Sequence, residues 1–216
     1  MSAFGAEIRK NNEPLPIRIS PELEKRADLF FQHEALEDAR SFMALAPGGG
    51  RSWGPNALYK QWEPEKFAQT ANAWCAETKQ ALLLVGDESE KGLLETVRKS
   101  LTATNKIICG QSLGVVAALL KRVRILLGND GGLIHLAHAL GVRTVSIFGP
   151  VDETVYGAYA QGTHIVLTEH VPCRPCYANF HFPPCPYERR CLDHLAVDKA
   201  VDALGEILLY SKTFKG

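Results

Sequence analysis

The residues Arg124-Ile-Leu-Leu-Gly-Asn-Asp-Gly-Gly-Leu-Ile-His-Leu-Ala-His-Ala-Leu-Gly141 run directly into Val142-Arg-Thr-Val-Ser-Ile-Phe-Gly-Pro150. This stretch predicts an apolar strand over 124–127, a glycine-rich turn, a helix over 133–140 and a second strand over 144–148. Such a turn, at the carboxyl end of a parallel strand, presents free backbone N–H groups and the positive end of a helix dipole to one point. The stretch therefore predicts a strand-turn-helix-strand unit that binds a phosphate.

The alternation of strand and helix continues on both sides of this unit. Further strands are predicted over 42–46, 81–85 and 106–109, with a sixth over 164–168, and further helices over 64–78, 89–100, 113–122 and 197–212. Short apolar strands separated by helices are typical of an α/β fold, here a Rossmann-like parallel sheet with helices on both faces. A proline-rich linker and an amphipathic helix over 21–40 lead into it.

Composition narrows the function classes. The 216 residues suit one principal domain, and 24 basic residues balance 24 acidic ones, so no broad positive field attracts nucleic acid. No apolar run reaches the roughly 20 residues of a transmembrane helix, and the amino terminus is too polar for a signal peptide. The sequence predicts a soluble, cytoplasmic protein.

The loop after the first strand, residues 47–63, is too long for a simple connection. Gly48 and Gly49 allow the backbone to approach an anion closely, Lys60 supplies a cation, and Trp53 and Trp62 offer flat faces. An ordinary turn with a tryptophan packed beneath it is the alternative. The loop matches neither a Walker sequence nor the G-x-G-x-x-G pattern, which argues against a dinucleotide-dependent oxidoreductase.

Acidic residues follow the second strand. One carboxylate can hold a ribose by accepting two hydrogen bonds from its hydroxyl groups, and Asp87, Glu88 and Glu90 all lie near this strand end. The alternative is a helix that simply begins with acidic residues.

In the turn itself, Asp130 is predicted to cap the following helix, to orient a bound group, or both. Gly131 and Gly132 offer backbone N–H groups, and His135, in the first helical turn, is placed to contact a phosphate. His135 and His138 have the spacing of metal ligands, but the turn offers no third ligand beyond Asp130, so phosphate contact is favoured.

Four of the six cysteines cluster near the carboxyl terminus. Cys173 and Cys176 form a C-x-x-C pair, but Cys185 and Cys191 are separated by five residues, which is less regular than a zinc site. Free thiols packed in the loop, a structural zinc ion and disulfides all remain open for this cluster, with free thiols favoured.

The ordered combination of the Pro-Gly loop, Lys60-Gln-Trp62, Glu90, Asn129-Asp-Gly-Gly-Leu-Ile-His135, Phe148-Gly-Pro150 and Cys173-Arg-Pro-Cys176 resembles glycosyltransferase family 9, the lipopolysaccharide heptosyltransferases, over about residues 14–207. The resemblance implies one half of a GT-B architecture, in which two Rossmann-like domains face each other across a cleft. It also implies an ADP-sugar donor, a lipopolysaccharide core acceptor and no required metal.

By position, the resemblance places Lys60 on the donor, Glu90 on the adenosine ribose, and Asp130, Gly131, Gly132 and His135 around the diphosphate. Gly131 stands where many family members have Ser or Thr, so a hydroxyl contact is lost while the backbone N–H remains.

The resemblance also implies that different parts of the enzyme bind the donor and the acceptor. Residues 1–40 are predicted to hold the remnant of an amino-terminal domain, the linker and the lead-in helix, and residues 41–216 the donor-binding domain. The general base is expected in the missing acceptor domain, so no catalytic residue is assigned. We expect the chain to bind nucleotide, to need an acceptor domain or partner chain for transfer, and to work at the inner face of the inner membrane without spanning it. A non-catalytic nucleotide-binding or assembly module is the alternative.

Overall fold

The structure is a computed structural model that describes residues 17–34, 42–157, 163–178 and 181–213, with all side chains in these ranges except those of Arg51, Ser52, Pro55 and 209–213. Six strands form one sheet: β1 (Phe42–Ala46), β2 (Ala81–Val85), β3 (Asn105–Ile108), β4 (Ile125–Asn129), β5 (Arg143–Phe148) and β6 (His164–Thr168). Every neighbouring pair is parallel, in the order β3-β2-β1-β4-β5-β6. This is the Rossmann strand order, so the predicted fold class is confirmed.

The helices are α1 (Pro21–His33), α2 (Pro64–Thr78), α3 (Lys91–Lys99), α4 (Leu113–Leu120), α5 (Gly132–Ala139), α6 (Glu153–Tyr156), α7 (Arg190–Asp193) and α8 (Val197–Thr213). Two 3₁₀ segments, Arg51–Lys60 and Glu88–Glu90, lie in the loops after β1 and β2. The lead-in helix predicted over 21–40 ends at His33, and residues 35–41 lie outside the described residues. None of the helices described is long and apolar enough to cross a membrane.

Alternate residues of each strand face opposite sides, and both sides are buried in the four central strands, β1, β2, β4 and β5. Met43 and Leu45 of β1 pack with residues of α2, α3, α7 and α8. Phe42, Ala44 and Ala46 pack with residues of α1, α4 and α5. Helices therefore cover both faces, which explains why the strands are apolar runs rather than alternating ones.

The helix α1 is packed into this arrangement. It lies against α4, and Ala27 and Phe31 are buried in the same core as β1. The domain boundary predicted at residue 40 falls among residues that are not described, and it stays a prediction.

The neighbours β1 and β4 mark the point where the strand order reverses. At Gly128, near the end of β4, a Cβ atom would lie 2.9 Å from the Cβ of Ala46 and 3.0 Å from its carbonyl oxygen, so only glycine fits this close approach. In doubly wound sheets, ligands bind at the carboxyl ends of the strands at such a switch point. A ligand site is therefore expected at the loops that follow β1 and β4.

Candidate functional site

A cleft of about 300 Å³ opens at the carboxyl ends of β1 to β4. Its lining residues come from the ends of these strands, the loops that follow them and the starts of the next helices: Ala46, Gly48, Gly50, Val85, Gly86, Asp87, Glu90, Gln111, Leu113, Val116, Asn129, Gly131, Gly132 and Leu133. The apolar residues Val85, Leu113 and Val116 belong to β2 and to the helix after β3, whereas Gly131 and Gly132 follow β4. In the strand order β3-β2-β1-β4, β1 lies between these two groups. The cleft thus joins an apolar slot to the amino terminus of α5.

Glu90 follows β2, and its carboxylate contacts the loop after β1. Its Oε1 accepts a hydrogen bond of 3.2 Å from the Gly50 N–H, and its Oε2 accepts one of 3.0 Å from the Asp87 N–H. The carboxylate fills the space above Gly48, where a Cβ atom would come within 1.9 Å of Oε1. Gly48 is therefore required by the position of Glu90, and the carboxylate is held in one orientation in the cleft.

The two rivals of Glu90 are placed differently. Asp87 lines the cleft but accepts the Ser89 N–H at 2.7 Å, which caps the short 3₁₀ segment. Glu88 is exposed and points away toward Cys109, whose Sγ donates to Glu88 Oε2 at 3.2 Å. The geometry favours Glu90 among the three carboxylates.

Lys60 and Asp130 form a buried ion pair beside the cleft. Lys60 Nζ lies 2.6 Å from Asp130 Oδ2, and the two side chains are only 5% and 6% exposed. The ammonium also lies 4.4 Å from the centre of the Trp53 ring, within the range of a cation–π contact. These neighbours hold the Lys60 ammonium in place. Neither Lys60 nor Asp130 is among the residues that line the cleft, so a contact between Lys60 and a ligand stays a prediction.

The prediction that Asp130 caps α5 is wrong. The helix begins at Gly132, its cap residue is the extended Gly131, and no side chain caps it. The Asp130 carboxylate is turned toward Lys60, whose charge attracts it more strongly than a neutral N–H does. Gly131 and Gly132 line the cleft, and no side chain caps the helix that begins there.

Three other sequence candidates in the loop after β1, Gly49, Trp62 and Trp53, pack against neighbouring residues. Gly49 contacts the 3₁₀ segment, since a Cβ atom there would lie 2.6 Å from the Ala57 carbonyl oxygen. Trp62 is fully buried and packs edge-on against Phe67, so it offers no face to a ligand. Trp53 is half-buried and packs with Tyr177 and Phe182, which form an aromatic wall next to Lys60.

His135 is exposed on α5 and is not among the residues that line the cleft. Its contact with a phosphate stays a prediction. His138, one turn later, is buried beside His164, with ring centres 5.9 Å apart. Burial lowers the pKa of His138, and burial together with the two neighbouring histidines lowers the pKa of His164 to about 4. Both rings are therefore neutral at pH 7.

The four clustered cysteines line one small cavity of about 20 Å³, and all six cysteines carry free thiols. Burial raises the pKa of the Cys191 thiol to about 11. Across the described ranges, no group of three or more His, Cys, Asp or Glu side chains is arranged to hold a metal ion. The choice between packed free thiols and a zinc site stays a prediction.

Sequence reasoning missed the role of Asn129. This residue is 2% exposed, its Nδ2 donates to the Pro47 carbonyl at 2.7 Å, and its Oδ1 accepts the Trp62 N–H at 3.0 Å. The only available signal was its place at the end of an apolar strand, where a polar residue must find partners.

Comparison with known proteins identifies the family. The model of glycosyltransferase family 9 (heptosyltransferase) matches residues 9–181. The chain belongs to this family. The resemblance drawn from the motifs is thereby confirmed.

Three members of the family show the extent of the likeness. Lipopolysaccharide heptosyltransferase 1 of Pseudomonas aeruginosa is 28% identical over 145 residues, which are 67% of this chain and 39% of that protein. The family 9 glycosyltransferase of Veillonella parvula superposes with a TM-score of 0.76 at 22% identity, over 90% of this chain and 53% of that one. The E. coli heptosyltransferase WaaC, solved with ADP, gives a TM-score of 0.59 at 20% identity over 79% of this chain and 45% of that one.

The chain therefore spans about half the length, or less, of these relatives. Its sheet corresponds to one half of a GT-B heptosyltransferase. WaaC has also been solved with ADP-2-deoxy-2-fluoro heptose.

Proposed function

We propose that this chain binds an ADP-sugar in the cleft and is the donor-binding half of a heptosyltransferase-like enzyme that acts on a lipopolysaccharide core acceptor. The observation that carries the proposal is the order of groups along the cleft. The apolar residues of β2 and α4, the Glu90 carboxylate held against the loop after β1, and the amino terminus of α5 after β4 follow the strand order of the sheet. A base, a ribose and a diphosphate have the same order in a nucleoside diphosphate. The ligands of WaaC support ADP as the nucleotide.

The ribose is assigned to Glu90. Each of its oxygens already accepts one backbone hydrogen bond and keeps a further lone pair for a ribose hydroxyl. Because the backbone bonds fix the carboxylate before the ligand arrives, little conformational entropy is lost on binding.

The diphosphate is assigned to Gly131, Gly132 and Lys60. Gly131 and Gly132 line the cleft at the amino terminus of α5, where the helix dipole favours an anion. Lys60, whose charge is paired with Asp130, is the proposed cationic contact. His135 is kept as a proposed additional contact.

In transfer, the acceptor hydroxyl attacks the anomeric carbon with inversion while ADP leaves. Lys60 and the N–H groups of the turn stabilise the negative charge that develops on the departing diphosphate. A carboxylate on an acceptor-binding unit takes the proton of the hydroxyl. Since that carboxylate is not assigned to this chain, we propose that these residues bind the donor but need the acceptor unit for transfer. A lipid-linked acceptor would bring the protein to the inner face of the inner membrane.

Calorimetric titration with ADP tests the donor site. We expect binding by the unaltered chain, weakening of roughly tenfold or more in Glu90→Gln, and unchanged affinity in Glu88→Gln, a matched carboxylate that points away from the cleft. Absence of binding at millimolar ADP would contradict the donor-site proposal.

Addition of a separately expressed acceptor domain tests the second half of the proposal. Sugar transfer that appears only with both units supports it. Nucleotide binding without any recovery of transfer would instead identify a non-catalytic nucleotide-binding module.

A further inference from the structure

We infer that Asn129 is a positioning residue that holds the ribose-binding and diphosphate-binding parts of the cleft in one fixed relation. This inference rests on the proposed function of the cleft. Asn129 is the last residue of β4, and its side chain lies between the loop after β1 and the Lys60-Gln-Trp62 segment.

Both the oxygen and the nitrogen of the Asn129 side-chain amide form hydrogen bonds. The Trp62 N–H can only donate and the Pro47 carbonyl can only accept, so the bonding partners fix which end of the amide is oxygen and which is nitrogen. Asp offers no donor, Leu offers neither group, and the longer Gln does not fit a site that is 2% exposed. Asn is thus the side chain that this position requires.

On one side, Asn129 and Asp130 hold both ends of the Lys60-Gln-Trp62 segment. Asn129 binds the backbone of Trp62 at 3.0 Å, and Asp130 binds the Lys60 ammonium at 2.6 Å. The Trp62 side chain anchors the segment further, because its Nε1 donates to the Leu195 carbonyl at 3.3 Å. The cation assigned to the diphosphate is therefore placed by two successive residues of the turn.

On the other side, Asn129 fixes the first residue of the glycine loop. Asn129 donates to the carbonyl of Pro47, which directly precedes Gly48 in the chain. The Glu90 carboxylate lies over Gly48 and accepts a hydrogen bond from the Gly50 N–H. One buried amide thus connects the loop that orients Glu90 with the segment that carries Lys60. Loss of this amide is expected to disturb the spacing of the two subsites.

The test compares Asn129→Leu with Gln80→Leu, which removes another buried amide. Gln80 is 5% exposed and accepts the Trp74 Nε1–H at 2.8 Å, just before β2 begins and so at the opposite end of the sheet. Both variants lose a buried hydrogen bond, but only one touches the cleft. We expect ADP affinity to fall roughly tenfold in Asn129→Leu and to stay within about twofold in Gln80→Leu.

Hydrogen exchange in the ADP-free protein provides a readout that does not depend on the nucleotide. In Asn129→Asp, the oxygen that accepts the Trp62 N–H remains, whereas the donor to Pro47 is lost. We expect the Trp62 amide to stay protected in Asn129→Asp and to exchange faster in Asn129→Leu, while the Gly50 amide exchanges faster in both.

Each outcome decides one claim. Unchanged exchange at Trp62 and Gly50 in Asn129→Leu, or equal weakening of ADP binding by Gln80→Leu, overturns the positioning role. Failure of the unaltered chain to bind ADP overturns the proposed function instead, and the exchange result then decides the positioning role alone.

Discussion

At the scale of single residues, the Lys60–Asp130 pair combines a structural and a binding role. Both side chains are almost completely buried, so removal of one partner leaves an uncompensated charge out of contact with water. We predict that Lys60→Met lowers the free energy of unfolding by about 3 kcal/mol, whereas the double variant Lys60→Met/Asp130→Asn recovers most of that loss. Urea denaturation of the single and double variants measures this difference.

The same pair of variants separates stability from binding. ADP affinity should stay low in the double variant, because the cation is gone even though the buried charge has been removed. Equal stability of the Lys60→Met variant and the unaltered chain would show that the pair is not buried in solution. Recovery of ADP affinity in the double variant would show that Lys60 does not contribute to the donor site.

At the scale of secondary-structure elements, periodicity and turn residues were sufficient for most of the sheet. The strands 42–46, 81–85 and 164–168 and the helix 64–78 have the bounds predicted for them, because apolar runs and a proline at the first helical turn are local signals. The 3₁₀ segment Arg51–Lys60 was not predicted, since short 3₁₀ turns carry weak sequence signals.

The partners of the site residues could not be predicted in the same way. Asn129 binds groups 67 and 82 positions away along the chain, and only the folded sheet brings them together. The prediction for Asp130 was wrong for the same reason. Its carboxylate pairs with Lys60, which is distant in the sequence, instead of capping the helix that follows it.

The pairing of β5 and β6 makes stability depend on pH. His164 at the start of β6 contacts the hydroxyls of Thr144 and Ser146, and burial lowers its pKa to about 4. The unfolded chain takes up this proton near its ordinary pKa of about 6.5, so protonation favours unfolding as the pH falls through the interval between the two values.

We predict that the free energy of unfolding attributable to His164 is fully present above about pH 6.5 and falls by the order of 2 kcal/mol as the pH approaches 4. Denaturation at several pH values in this interval measures the loss, and His164→Gln, which keeps polar contacts without titrating, serves as the control. A parallel pH dependence in the two proteins would assign it to other groups.

At the scale of the whole molecule, the cleft joins two halves of one sheet. Glu90 and the apolar slot belong to the loops of β1, β2 and β3, whereas Gly131 and Gly132 follow β4. A ligand that spans the cleft contacts both halves, and one that fills a single subsite contacts only one. Because ADP links the two binding events in one molecule, it should bind more tightly than either fragment.

We therefore predict that adenosine slows amide exchange around residues 86–90 and 111–116, that pyrophosphate slows it around 130–133, and that ADP slows it in all three regions. ADP at a hundred times its dissociation constant should also add about 2.7 kcal/mol to the free energy of unfolding of the whole domain. Inosine and sucrose serve as controls for base specificity and for nonspecific stabilisation. Protection of the 130–133 region by adenosine alone would contradict the assigned orientation, since the base and ribose would then lie at the start of α5 and the diphosphate would have to occupy the apolar end of the cleft.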